Sequence, residues 1–229
     1  EDLVALGQLS PRTLARSRRS LMSLSLFVVY LGAKIDIEAC GLENKAYYSF
    51  PYYDHERVYE GLYRGELPDD PYVFVCLSSL RDPENRELSP AGVTNLQLMT
   101  LAPGTPEAWG ATAEQVADTS YRKNPDYKNR KAQFAERLIR AATRVIPNLR
   151  ESIVFQEAAT PLTMARYTGA TEGAVFGLAC TPGQFFLRPG ASTEIKGLYL
   201  AGASTRSAHG IAGAMRSGSE AAMAVLQGG

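Results

Sequence analysis

The chain has 229 residues, 45% hydrophobic and 21% charged, with Lys plus Arg and Asp plus Glu both at 24 and a formal net charge of zero. That length fits one large domain or two small ones, and it buries about 70% of the unfolded surface, enough for a core without staples. The charge balance argues against a nucleic-acid partner held by bulk charge, because such domains are markedly basic. Cys40, Cys76 and Cys180 are odd in number and form no C-x-x-C pair, which speaks against a disulfide framework and for a reducing, cytoplasmic setting. With His55 and His209 as the only histidines, a metal site has too few soft ligands. The longest apolar stretch, Leu21 to Ala33, is too short to span a bilayer, and no signal peptide is visible. Opening on Glu1 and running at once into Leu3, Val4 and Leu6, the chain reads as a piece that starts inside a larger protein.

Ser10-Pro11 is a helix start, followed by a short basic helix with Arg12, Arg16, Arg18 and Arg19. A solvated face is the plain reading of that charge; it also allows peripheral contact with anionic lipid headgroups. Leu24 to Leu31 is dense in β-branched and aromatic residues and predicts a buried strand ending at Gly32. Ala46 to Tyr53 predicts an aromatic strand with Pro51 at its edge or end, and Asp54 caps a short helix through Tyr63, closed by Gly65. Strands are expected at Tyr72 to Leu80 and Thr94 to Leu101, separated by a turn-rich stretch, Arg81 to Gly92. Thr112 to Ile146 is helical with a break at Asn124-Pro125. In its second half Phe134, Leu138, Ala141, Ala142 and Val145 share one face and Lys131, Arg137, Arg140 and Arg144 lie mostly opposite. A short strand follows at Ile153 to Gln156, then a loop-rich run from Ala158 to Gly190, a strand at Gly197 to Ala201, and a helix from about Gly210 to Leu226. Strands first, helices after, and one strand–glycine–helix unit at the end indicate an α+β fold with a mixed, largely antiparallel sheet and helices packed on it.

Chemistry concentrates in Gly197 to Ala222. A short apolar strand runs into Gly202, where a ligand can approach the backbone without meeting a Cβ, and Gly210-Ile211-Ala212-Gly213 opens a helix of small residues. The free N–H groups of a helix start, carrying about half a positive charge, suit an anion or developing negative charge. On composition alone this is equally a turn selected for close packing.

The wording LYLAGAST…GIAGAMRSG resembles the closing flavin-binding signature of the phytoene desaturase-like FAD oxidoreductases (carotenoid desaturases and isomerases, retinol saturases), within the amine-oxidase-like flavoprotein class. The run from Thr160 to Leu178 and the early basic helix followed by SLSLFVVYLG resemble other segments of that family, so the likeness covers most of the chain. It implies FAD as cofactor, residues 1–195 as a substrate-binding segment, and residues 196–229 as the closing strand–helix of an FAD-binding domain. Carried over by position, Gly202, Ala203 and Ser204 would lie near the ribityl and pyrophosphate. Gly210, Ile211 and Ala212 would lie beside the ring, where the helix dipole is worth on the order of 0.3–2 kcal/mol to reduced flavin. Tyr167, Phe176 and His209 are the candidate substrate contacts. Ala203 departs from the acidic residue of many amine-oxidase-like members but suits the desaturase-like branch.

No G-x-G-x-x-G occurs in the chain, so the resemblance implies an N-terminal dinucleotide-binding half that is not among these residues. Gly169, Gly173 and Gly177 read as turns, and no nucleophile elbow or phosphate loop is present. Tyr47, Tyr48, Tyr52 and Tyr53 read as sheet packing with wet hydroxyls or as an aromatic wall along an apolar channel. Two functions stay in view. One is a portion of an FAD-dependent oxidoreductase moving hydride between flavin and a C–C bond of an apolar, polyene-like substrate, with no nameable protein acid or base. The other is a non-catalytic module that binds an apolar ligand or a partner chain. Under the first, the chain by itself exposes apolar surface and self-associates.

Overall fold

The computed structural model describes residues 4–5, 7–207 and 209–228; Glu1, Leu3 and Leu6 of the opening lie outside them. Helix α1 (Pro11–Arg19) starts as expected, with the Ser10 side chain accepting from the Thr13 N–H at 3.2 Å. Strand β1 (Ser25–Ala33) runs two residues past the expected end. Strand β2 (Ala46–Ser49) is half the predicted length, because Pro51 has no N–H to offer the ladder. Asp54 caps α2 (His55–Tyr63) by accepting from the Arg57 N–H at 3.1 Å. Strand β3 (Val73–Cys76) is also shorter than expected, the chain turning at Ser78 into α3 (Ser78–Arg81), and β4 (Thr94–Ala102) follows.

The long helical stretch breaks at Asn124-Pro125 as expected and also at Thr119, whose φ is +63°, giving α4 (Ala113–Ala117), a single turn at Ser120–Lys123, and α5 (Pro125–Ala142), which is capped by Asn124 and stops four residues short of Ile146. A short α6 (Leu149–Ser152) leads into β5 (Ile153–Ala159). The run read as loop contains two helices, α7 (Pro161–Thr168) and α8 (Pro182–Phe185). Helix α7 is held by Thr160 and Thr163, which cap each other's backbone N–H groups at 3.4 and 3.3 Å. Gly169, Gly173 and Gly177 are turns, all at positive φ. The strand expected at Gly197–Ala201 is a single antiparallel bridge, Tyr199 with Ser192, since nothing else described pairs with it. Helix α9 (Gly210–Leu226) has the expected bounds.

The chain divides into two units, one of residues 24–173 and one of residues 1–23 with 174–229. The first holds a five-stranded sheet in the order β2-β3-β4-β1-β5, every pairing antiparallel, so the fold is α+β with β2 and β5 as its edges. Residues directly opposite in neighbouring strands share a face. Phe27, Val29, Leu31, Leu96, Leu98 and Val75 make the closed face, buried against α5. At its centre Phe27 stacks on Trp109 at 5.4 Å between ring centroids and meets Phe134 edge-on at 4.9 Å. The arginines opposite this face of α5 are not merely solvated. Arg137 donates to the Leu67 carbonyl at 3.2 Å, Arg140 to that of Asp69 at 2.9 Å, and Arg144, just past the helix, pairs with Asp70 at 2.7 Å. They fasten the 67–71 loop, which leads into β3.

Candidate functional site

The sheet's other face carries Val28 and Tyr30 of β1, Met99 of β4, Phe74 of β3, Tyr48 of β2 and Phe155 of β5. Alternation puts them there, and most lack full cover: Tyr30, Tyr48 and Phe155 are exposed, and Phe74 and Met99 are half-buried. At one end, α2 closes on it through Leu62 and Val58 against Leu101 and Leu26. Beside this cluster the rings form a ladder. Phe74 stacks on Tyr48 at 4.5 Å, Tyr48 on Phe50 at 6.2 Å, and Phe50 on Tyr72 at 5.1 Å. They border a cavity of about 160 Å³ lined by Phe50, Tyr52, His55, Val58, Leu62 and Tyr72. That is about the room an apolar cavity needs for one aromatic ring. The Tyr72 hydroxyl in its lining accepts from the Leu101 N–H at 3.0 Å, and burial pushes its pKa up to about 12. Of the clustered tyrosines, Tyr48 and Tyr52 thus border an apolar wall. Tyr47 accepts from the Glu43 N–H at 2.7 Å, and Tyr53 stands in solvent.

In the other unit the Gly202 turn is tightly held. Gly202, at φ +106°, donates its N–H to Ser217 Oγ at 2.9 Å. Thr205 Oγ1 lies 2.9 Å from the Gly202 carbonyl and 2.7 Å from Ser217 Oγ. Both hydroxyl residues are buried, so the network ties the turn to the middle of α9. Below it sits Arg188, only 2% exposed, donating to the Thr205 carbonyl at 2.9 Å, to that of Ala203, and to Cys180 Sγ at 2.7 Å. Cys180 Sγ is in turn 3.3 Å from His209 Nδ1. Sequence reasoning did not single out Arg188. Its one signal is a lone cation inside the apolar run FFLRPG, and its partners are mostly backbone carbonyls, which leave no trace in a sequence.

At the start of α9, His209 occupies the cap position with an extended backbone but makes no side-chain cap hydrogen bond. Among the described residues no side chain caps this first turn, so the N–H groups of Gly210, Ile211 and Ala212 stand as the open donors of the helix start. Gly210, at φ +80°, has nothing within 4 Å of where a Cβ would stand, and the same holds for Gly202. Ile211 is 84% exposed. These residues fit the edge of a flat, electron-accepting ring: open space, uncapped donors and the positive end of a 17-residue helix. Gly202 offers space only, its amide being taken by Ser217. Ser204 turns back to accept from the Leu178 N–H at 3.2 Å. Of the candidate substrate contacts, Phe176 and His209 come together, ring centroids 4.8 Å apart. Tyr167 belongs to the other unit, 75% exposed under the Arg166 guanidinium.

Comparison with known proteins gives this geometry a context. The family of flavin containing amine oxidoreductases matches residues 127–226. An all-trans-retinol 13,14-reductase of Danio rerio is 27% identical over 78% of this chain and 29% of its own length. A 4,4'-diapophytoene desaturase (4,4'-diaponeurosporene-forming) of Staphylococcus aureus strain MRSA252 is 28% identical over 82% of this chain and 35% of its own. The chain spans about a third of the length of these relatives. A solved oxidoreductase from Methanosarcina mazei aligns over 96% of this chain and 38% of its own at 14% identity, with a TM-score of 0.44. The chain thus has a family-level match to the amine-oxidase-like, phytoene desaturase-like class of flavoproteins, over part of its length and part of theirs.

Proposed function

We propose that this chain is the substrate-binding portion, with the closing helix of the FAD-binding domain, of an FAD-dependent oxidoreductase acting on a C–C bond of an apolar, polyene-like substrate. The observation that carries this reading is the start of α9. Its uncapped donors and Cβ-free glycines lie inside the segment that matches flavin containing amine oxidoreductases. When bound, the flavin supplies hydride acceptance or donation, and the chain's own residues supply the setting. Gly210, Ile211 and Ala212 would hold negative charge on the reduced ring through their N–H groups. The Arg188–Thr205–Ser217 network would keep the Gly202 turn in place, leaving room for the cofactor beside it. Tyr48, Phe74 and Met99 would exclude water from an apolar chain, while the cavity beside Phe50 and Tyr72 would take a ring or chain end. Phe176 and His209 are the candidates for substrate contact near the helix start. Residues 1–195 and 196–229 then serve as substrate segment and cofactor-closing segment.

The test is an absorption spectrum of the protein carrying its full natural N-terminal region, beside its Gly202→Val variant. Bound flavin in the first and at least a tenfold loss of flavin in the second is the expected result. A folded, colourless protein that ignores added FAD would instead favour the non-catalytic module binding an apolar ligand or partner chain. Flavin content undiminished in the variant would remove the Gly202 turn from the site.

A further inference from the structure

A second cavity, of about 760 Å³, lies between α5, β5 and α7 within the unit of residues 24–173, a size in the ordinary range for small-molecule sites. Its lining joins two chemistries. Arg122, Lys128 and Lys131 from the α5 side and Arg166 from α7 bring four cations, against one carboxylate, Glu157. Among the described residues none of the four is within ion-pair distance of a carboxylate, whereas Arg137, Arg144 and Arg150 of the same unit each have such a partner. The sheet contributes Tyr30, Phe155, Ala158 and Ala159, and α7 contributes Met164 and Tyr167. The hydroxyls of Tyr121 and Tyr127 are turned inward, 3.3 Å from the Leu162 carbonyl and 3.0 Å from Thr160 Oγ1, so these side chains offer the cavity mainly ring surface. Lys131 is half-buried, and burial holds its ammonium below the ordinary lysine value, with Glu157 opposing that fall. A cation so placed has lost hydration that an anion would restore.

We propose that this cavity binds a single-chain carboxylate amphiphile of the fatty-acid class, its head among Lys131, Arg122 and Arg166 and its chain along Phe155, Tyr30 and Met164. Charge complementarity selects an anionic head, and the apolar sheet wall selects a long chain over a small free anion. The site uses no residue of the α9 start and stands independently of flavin binding.

The test is a fluorescence titration of the full chain with cis-parinaric acid and, in parallel, with its methyl ester, which keeps the chain and removes the charge. Saturable binding of the acid, at least tenfold weaker binding of the ester, and weakening of the acid by added salt are expected. Lys131→Met keeps the length of a half-buried side chain, and Arg122→Gln with Arg166→Gln alters only exposed ones; each should weaken the acid at least fivefold with an unchanged circular dichroism spectrum. Equal binding of acid and ester, no saturable binding, or indifference to both variants overturns the proposal. So does loss of co-sedimentation with phosphatidylserine vesicles in the variants while their parinarate binding is untouched, which would assign the cations to a membrane surface.

Discussion

The Tyr72 hydroxyl accepts the Leu101 N–H at 3.0 Å and is shielded by the rings around it, so burial raises its pKa to about 12 from the ordinary 10. The folded state therefore holds this proton more tightly than the unfolded chain. Its contribution is fully present below about pH 10 and is lost as pH rises through about 12. Near pH 11 the loss is about 1.4 kcal/mol. Tyr72→Phe should cost about 1 kcal/mol at neutral pH, through the orphaned Leu101 N–H, but should lose less stability than the parent on going to about pH 11. Urea midpoints of both proteins at the two pH values check this, and parallel losses would refute it. At this scale the sequence named glycines better than cations. Gly169, Gly173 and Gly177 were legible as turns because positive φ is a property of glycine itself. Arg188 was not, because it is defined by the carbonyls of Ala203 and Thr205, which any residue supplies.

Helices with strong local signals appear where the sequence puts them. Asp54 caps α2, Asn124-Pro125 starts α5, and the small-residue run makes α9. Helix α7 was missed because its cap is Thr–x–x–Thr rather than Thr–x–x–Glu, a reciprocal arrangement with no acidic marker. Strand ends were the least legible away from proline: β3 stops at Cys76, where its pairing with β2 and β4 ends, a long-range matter. Helix α5 earns its place through one stripe: Phe134, Leu138, Ala141 and Ala142 are all buried against the sheet. Phe134→Ala removes the ring that meets both Phe27 and Trp109 and should destabilise by about 3–5 kcal/mol, read as a lower denaturation midpoint. A shift under about 1 kcal/mol would mean the aromatic cluster is not the centre of this core.

At the scale of the molecule, α9 buries Ser217 but exposes Ile211, Met215 and Leu226, which recur along one stripe of the helix. Such a surface is suited to cover by another protein surface. The chain taken alone should self-associate through it, and replacing Ile211, Met215 and Leu226 by Gln should return the mass in sedimentation equilibrium to that of one chain. Association unaffected by the three changes would place it elsewhere. Within the unit of residues 24–173, one sheet edge is open in a different way. Strand β5 is bonded only to β1, so among the described residues a row of its donors and acceptors lacks a neighbouring strand, with Val154 and Phe155 exposed along it. During refolding at high concentration, that segment, IVFQEAA, is a template on which an extended stretch of a second molecule can add, the first step toward aggregation. Glu157 is its only charge, and repulsion between stacked copies of that carboxylate is the one side-chain feature of the strand that resists such growth.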